Sequence, residues 1–240
     1  MSIGGTSIEQ ALASLSDMTS GMVAIGKDEH AQRIAKAQAF MRQQGIAAIY
    51  LNAGSNLTYF TGTKWYASER MVGAILPASG EIEYIAPAFE ESTLTGFMLI
   101  KGKVNCWEEH ASPYQLFVDV LARMGIAQDA AAPPRVGICE SAAFFIYDGI
   151  RPLAPGYALE NARAVTAWCR SRKSAAEIAL MQRVMDMTLA VHVARPACWS
   201  KASRRWKWKN SSSARTARWG RPARIFAACC SAKQPPIRMA

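Results

Sequence analysis

His30, His110 and His192 are the three imidazoles of this 240-residue chain, so acid–base or metal chemistry at neutral pH has few places to sit. His110 stands in "WEEHASP" beside Glu108 and Glu109, a packing of ligand types that fits no recognised metal spacing, and a loop histidine is expected. Glu90 and Glu91 offer two carboxylates in a row. Neighbouring residues of a helix do not face each other, so a solvated helix start is expected there rather than a general acid and base. His192 falls on a helix and is expected to pack. The cysteines Cys106, Cys139 and Cys169 are scattered singly, Cys198, Cys229 and Cys230 come late, and none has C-x-x-C spacing. They are expected to be small apolar core residues in a reducing compartment.

A different chemistry is suggested by "SKASRRWKWK" at 200–209, where Trp206 and Trp208 alternate with Lys and Arg. Aromatic faces that stack on bases, among cations that neutralise phosphates, describe a single-strand nucleic-acid groove. The formal charge of +10 points the same way, but its distribution is lopsided. Twelve of the 28 Lys and Arg lie beyond His192, with none of the 18 Asp and Glu, so the rest of the chain holds sixteen basic against eighteen acidic groups, a net of −2. The basic character belongs to the tail alone.

The elements that would position any site are readable ahead of that tail. Ile34, Ala37, Phe40 and Met41 recur at helical spacing between Lys27 and Gly45, and the glycine supplies a stop. "IAAIYLNA" (46–53) is predicted as a buried strand, and "MVGAILPASGEIEYIAPA" (71–88) as two strands about a turn at Pro77 to Gly80. "VNCW" and "RVGICE" are further strands; "SPYQLFVDVLARMG" is a helix with Pro113 early and Gly125 closing it, and "SAAFFIYDGI" another. This alternation implies an α/β fold, a mixed sheet flanked by helices on both faces and running to about Thr166. Ser174 and Glu177 form a capping box that opens a long helix, whose apolar stripe is expected to be Ile178, Met181, Val184, Met185 and Leu189. The beginning of the chain carries no basic start with a signal-length apolar run, and no segment approaches a membrane span, so a cytoplasmic location is expected.

"NLTYFTG" (56–62), preceded by the strand "AAIYLNA" and followed by "ERMVGAIL", resembles the N-terminal domain of the creatinase/prolidase/aminopeptidase P family. "RKSAAEIALMQRVMDMTLAVH" is similar to that family's linker and the first helix leading into its catalytic domain. The resemblance implies a ribonuclease H-like α/β domain at 27–170 after an extension at 1–26, a linker helix at 171–193, and a tail at 194–240. It further implies a possible homodimer acting on proline-containing peptides. The intact family uses two divalent metals (Mn, Co or Zn), held by two Asp, one His and two Glu, to activate water. Through the resemblance, Tyr59, Trp65 and Arg70 are candidate substrate-binding residues, reaching toward a cleft that is often a neighbouring subunit's, with Arg70 pairing with a peptide carboxylate. The competing assignment makes Tyr59 and Trp65 core or interface aromatics and Arg70 a surface ion-pair partner. Asn56 is expected to cap the short turn "NLTYF".

The carboxylate ligands of such a catalytic half are missing where they should lie, and a frameshift near Val193 to Ala197 accounts for both the loss and the tail. Permissible codons for "SKASRRWKWKNSS" (200–212), read one base back, spell EGISTVEVEEFI, an acidic helix start. The segment 223–240 shifts in the same way to GSNFCSVLFGEATAYPHG, which resembles the opening strands of the family's catalytic domain. The chain is therefore expected to be a truncated Xaa-Pro aminopeptidase or dipeptidase, inactive as a peptidase, with no metal in this chain. The alternative is an interaction module whose Trp/Arg tail binds single-stranded nucleic acid.

Overall fold

The computed structural model describes residues 15–197 together with Gln10 and Ala13. Two compact units divide the chain: residues 25–173, and a second made of residues 1–24 with 174–240. The tail from Cys198 onward, with Cys198, Cys229, Cys230 and the Trp/Arg run, lies outside the described residues.

In the first unit, helix α1 (Lys27–Gln44) ends at Gly45, whose φ of +66° is the left-handed turn that glycine adopts without a Cβ penalty. Strand β1 (Ile46–Asn52) is a continuous apolar run, as a strand covered on both faces should be. Helix α2 (Ser55–Thr61) follows, then the hairpin of β2 (Gly73–Pro77) and β3 (Glu83–Pro87). Gln38 of α1 donates to the carbonyls of Pro77 and Gly80, and Arg42 to that of Ala78, so the helix clamps the hairpin turn. A 3₁₀ turn (Ala88–Glu90) and α3 (Glu91–Phe97) lead to β4 (Lys103–Trp107). Helix α4 (Pro113–Arg123) has Pro113 in its first turn and is capped by Ser112, whose hydroxyl accepts from the Gln115 amide at 3.2 Å. Strand β5 (Arg135–Ile138), α5 (Phe144–Ile150), β6 (Ala158–Asn161) and α6 (Arg163–Ser171) complete the unit.

The six strands form one sheet in the order β4-β3-β2-β1-β5-β6. β2 runs antiparallel to both neighbours, and every other pairing is parallel. Side-chain alternation sends Ile49, Leu51, Ala74, Leu76, Tyr84 and Ala86 to one face, under α1, α2, α3 and α6. Ala48, Tyr50, Ile75, Ile85, Val136 and Ile138 face the other, under α4 and α5. Gly137 is tightly packed: a Cβ there would lie 3.0 Å from both Ala162 Cβ and Ile49 Cγ2, so its lack of side chain eases the approach of the start of α6 to the sheet. The expected mixed sheet with helices on both faces is the architecture observed.

In the second unit, α7 (Ala175–Ala197) opens on the capping box: the Glu177 amide donates to Ser174 Oγ at 3.1 Å, and the Ser174 amide to Glu177 Oε2 at 3.0 Å. The expected apolar stripe is largely open. Ile178, Met181, Met185 and Leu189 are each more than half exposed, and Val193 is 76% exposed; the covered side is Leu180, Val184, Met187 and Val191. The helix is apolar on two faces, so a single periodic stripe describes it poorly. His192, expected to pack, is exposed because it falls nearer the open face.

Candidate functional site

The strand directions bring the carboxyl ends of β1, β3, β4, β5 and β6 to one edge, where the start of β2 also lies. In open α/β sheets this is the edge where chemistry gathers, because loops there are free to carry side chains the sheet does not need.

Arg70 lies here, in the loop before β2. Its Nε donates to Glu109 Oε1 at 3.0 Å, its Nη1 pairs with Glu69, and its guanidinium stands 5.3 Å from the Phe89 ring centroid. The Glu109 hydrogen bond and charge, with Glu69 and Glu90 behind them, raise its pKa further, so the cation is permanent. Trp65 meets Phe97 edge-on at 6.1 Å and packs on the rim of the first core, beside the exposed Tyr66. Tyr59 is differently placed. Its hydroxyl donates to the Cys169 carbonyl at 3.0 Å, and the Arg33 guanidinium lies 4.2 Å over its ring. Its own carbonyl accepts from Arg33 Nη1 at 2.9 Å and from His30 Nδ1 at 3.0 Å, which fixes the Nδ1–H tautomer of that histidine. Tyr59 thus ties α1, α2 and α6 together, while Trp65 and Arg70 belong to the loop surface.

Burial, outweighing the Tyr59 hydrogen bond, holds His30 below the usual imidazole range. His110 is exposed in the loop after β4, and Glu90 and Glu91 form the solvated helix start expected of them. Cys139 and Cys169 are buried free thiols and Cys106 is half-buried. Burial pushes Cys169 up to about 11, so it stays protonated and unreactive.

The most connected polar group is one the sequence did not reveal. Asn56 is 1% exposed and is the second residue of α2, whose N-cap is Gly54, so it caps nothing. Its amide donates instead to Glu140 Oε1 at 3.0 Å and contacts Cys139 Sγ at 2.9 Å, while its oxygen accepts from Arg170 Nη1 at 2.6 Å. Thr166 donates to both Glu140 oxygens, at 3.0 and 2.9 Å, and Cys139 Sγ lies 3.0 Å from Ser141 Oγ. A buried amide needs partners, and the end of β5 together with α6 supplies them. The available signal was a carboxylate directly after an apolar strand, in "RVGICE".

Residues 33–172 match the family model described as Creatinase/Prolidase N-terminal domain. The chain belongs to that family. Among solved structures it is similar to the dipeptidase PepE from Mycobacterium ulcerans, at 21% identity and a TM-score of 0.58, covering 72% of this chain and 51% of that one. A prolidase from Thermococcus sibiricus gives 21% identity and 0.54, over 69% of this chain and 49% of that one. A dipeptidase from Pyrococcus horikoshii gives 21% and 0.54, over 65% and 43%. At these identities the likeness concerns the fold, and the chain spans about half the length of these three structures or less. No curated protein matches. Within the family frame, Tyr59 and Asn56 lie on the helix after the first strand, and Trp65 and Arg70 on the loop that follows.

The described residues do not fit a pair of divalent cations. Among the described residues no three His, Cys, Asp or Glu side chains converge on a point where an ion could sit. His30 is committed to a carbonyl, and the sequence beyond His192 contains no carboxylate side chain. No helix among the described residues is long and apolar enough to cross a membrane.

Proposed function

We propose that this chain derives from a cytoplasmic Xaa-Pro aminopeptidase or dipeptidase, retains that enzyme's substrate-access and dimerisation domain, and is inactive as a peptidase in the form given. The observation that carries this is the composition after His192: twelve basic and no acidic side chains, where the parent reaction needs oxygen donors for two metals. The family match over 33–172 and the exposed apolar face of α7 support it, the latter as a surface that a following domain would cover. Trp65 and Arg70 would face a peptide from the carboxyl edge, in the homodimer from the neighbouring subunit's side, with Arg70 exchanging Glu109 for a substrate carboxylate. Tyr59 would hold the helix that carries them.

The coding DNA tests this directly. Reading one base back beyond codon 197 should spell an acidic helix followed by a segment ending in His-Gly, with no stop codon; a stop, or an unrelated peptide, would exclude the frameshift. A Trp/Arg tail that grips single-stranded nucleic acid is the competing proposal, and salt-sensitive oligonucleotide binding that vanishes with residues 194–240 would favour it.

A further inference from the structure

We propose that Glu140 is an acid-releasable pin that holds α6 against the carboxyl ends of β1 and β5. Helix α6 is nine residues long; Val165 and Cys169 are its buried apolar side chains, and Trp168 stacks on Phe40 of α1 at 4.4 Å, which ties the helix to its neighbour rather than to the ends of β1 and β5. Its polar ties converge on one place. Thr166, fully buried, donates to both Glu140 oxygens, and Arg170 reaches the same carboxylate through Asn56, whose amide donates to Oε1. The third tie, from Tyr59 to the Cys169 carbonyl, lies on the same helix but is independent of the carboxylate.

The arrangement favours an ionised acceptor over a neutral acid. A carboxylate accepts from both donors at full charge, whereas protonation of Oε2 leaves Oε1 alone to accept from Asn56 and Thr166 and removes the charge that Arg170 faces. The groups facing Glu140 are Asn56 from α2, Thr166 and Arg170 from α6, and Cys139 and Ser141 from its own strand end, with Tyr50 of β1 beside Cys139. Glu140 is the one carboxyl among them. Burial alone would raise its pKa, but the hydrogen bonds from Asn56, its own amide and Thr166, with the charge of Arg170, hold it below the usual carboxylate range. A folded-state value below the unfolded one means the pin is complete above the ordinary carboxylate range and is lost as pH falls through the folded value.

Amide hydrogen exchange on the full chain, expressed as protection factors between pH 7 and 3, tests the pin. Amides of residues 163–171 should lose protection, by up to about tenfold per pH unit, as the pH falls from the ordinary carboxylate range to Glu140's lower folded titration, and level off below it, while those of β1 keep theirs. In Glu140→Gln, α6 protection should be low at pH 7 and flat with pH. In Thr166→Val, which keeps the carboxylate but removes a donor, the loss should level off at higher pH and be smaller in total. A Glu140→Gln profile that follows the parent, a Thr166→Val profile that does not move, or loss of α6 and β1 together at every pH overturns the proposal. The Thr166→Val comparison decides the matter even if the glutamine variant does not fold.

Discussion

Tyr59 and Arg70 are eleven positions apart, yet their surroundings assign them different work. The Tyr59 hydroxyl satisfies the Cys169 carbonyl inside the α1–α6 layer, so Tyr59→Phe should cost about 1 kcal/mol in urea unfolding. Arg70 stands among solvated carboxylates, and Arg70→Ala should leave stability within about 0.5 kcal/mol. A large loss in Arg70→Ala would show that the loop is structural and remove its claim to meet a ligand. Gly73 gives a sharper steric test, since a Cβ there would lie 2.4 Å from the Leu51 carbonyl oxygen and 2.7 Å from the Tyr50 hydroxyl. Gly73→Ala should destabilise by about 1–3 kcal/mol through forced backbone movement, again by urea unfolding. His30 supplies a pH signature. Its folded pKa is depressed, so the unfolded chain takes the proton first, and stability should fall as pH drops below about 6.5, the ordinary imidazole value. His30→Gln should flatten that slope between pH 7 and 5; an unchanged slope would assign the effect to other groups.

At the scale of elements, the strands that cross the core were legible because burial on both faces writes an unbroken apolar run, as in "IAAIYLN" and "GAILP". The capping box and Gly45 stop were legible because caps are local chemistry. Strand β6, "ALEN", was not, since it is a four-residue edge strand with no buried residue to mark a period. Helix α2 passed as a turn because seven residues hold barely two periods. The polar cluster was invisible for a topological reason: Asn56 to Glu140 spans 84 residues and Asn56 to Arg170 spans 114, and only the adjacency of β1 and β5 joins them. Helix α7 shows the limit of periodicity when both faces are apolar. Its open face implies that Met181→Lys with Met185→Glu keeps the helical circular dichroism signal and lowers binding of a hydrophobic dye, whereas Met187→Lys, on the covered side, loses helix. Equal effects from both would mean the two faces are not distinct.

For the whole molecule, the folded unit at 25–173 and the basic tail obey different rules of composition. The former has acids and bases nearly in balance and a sheet covered on two faces; the latter has cations and tryptophans without a single carboxylate side chain after His192. On the proposed reading this is why the chain is inactive as a peptidase, because the hard divalent ions of the parent reaction need oxygen donors. The most direct measurement compares hydrolysis of a proline-containing dipeptide, with manganese added, by the chain as given and by the same gene with its reading frame restored near codon 193. The expected result is no turnover by the former and turnover by the latter; metal-dependent turnover by the chain as given would contradict the account.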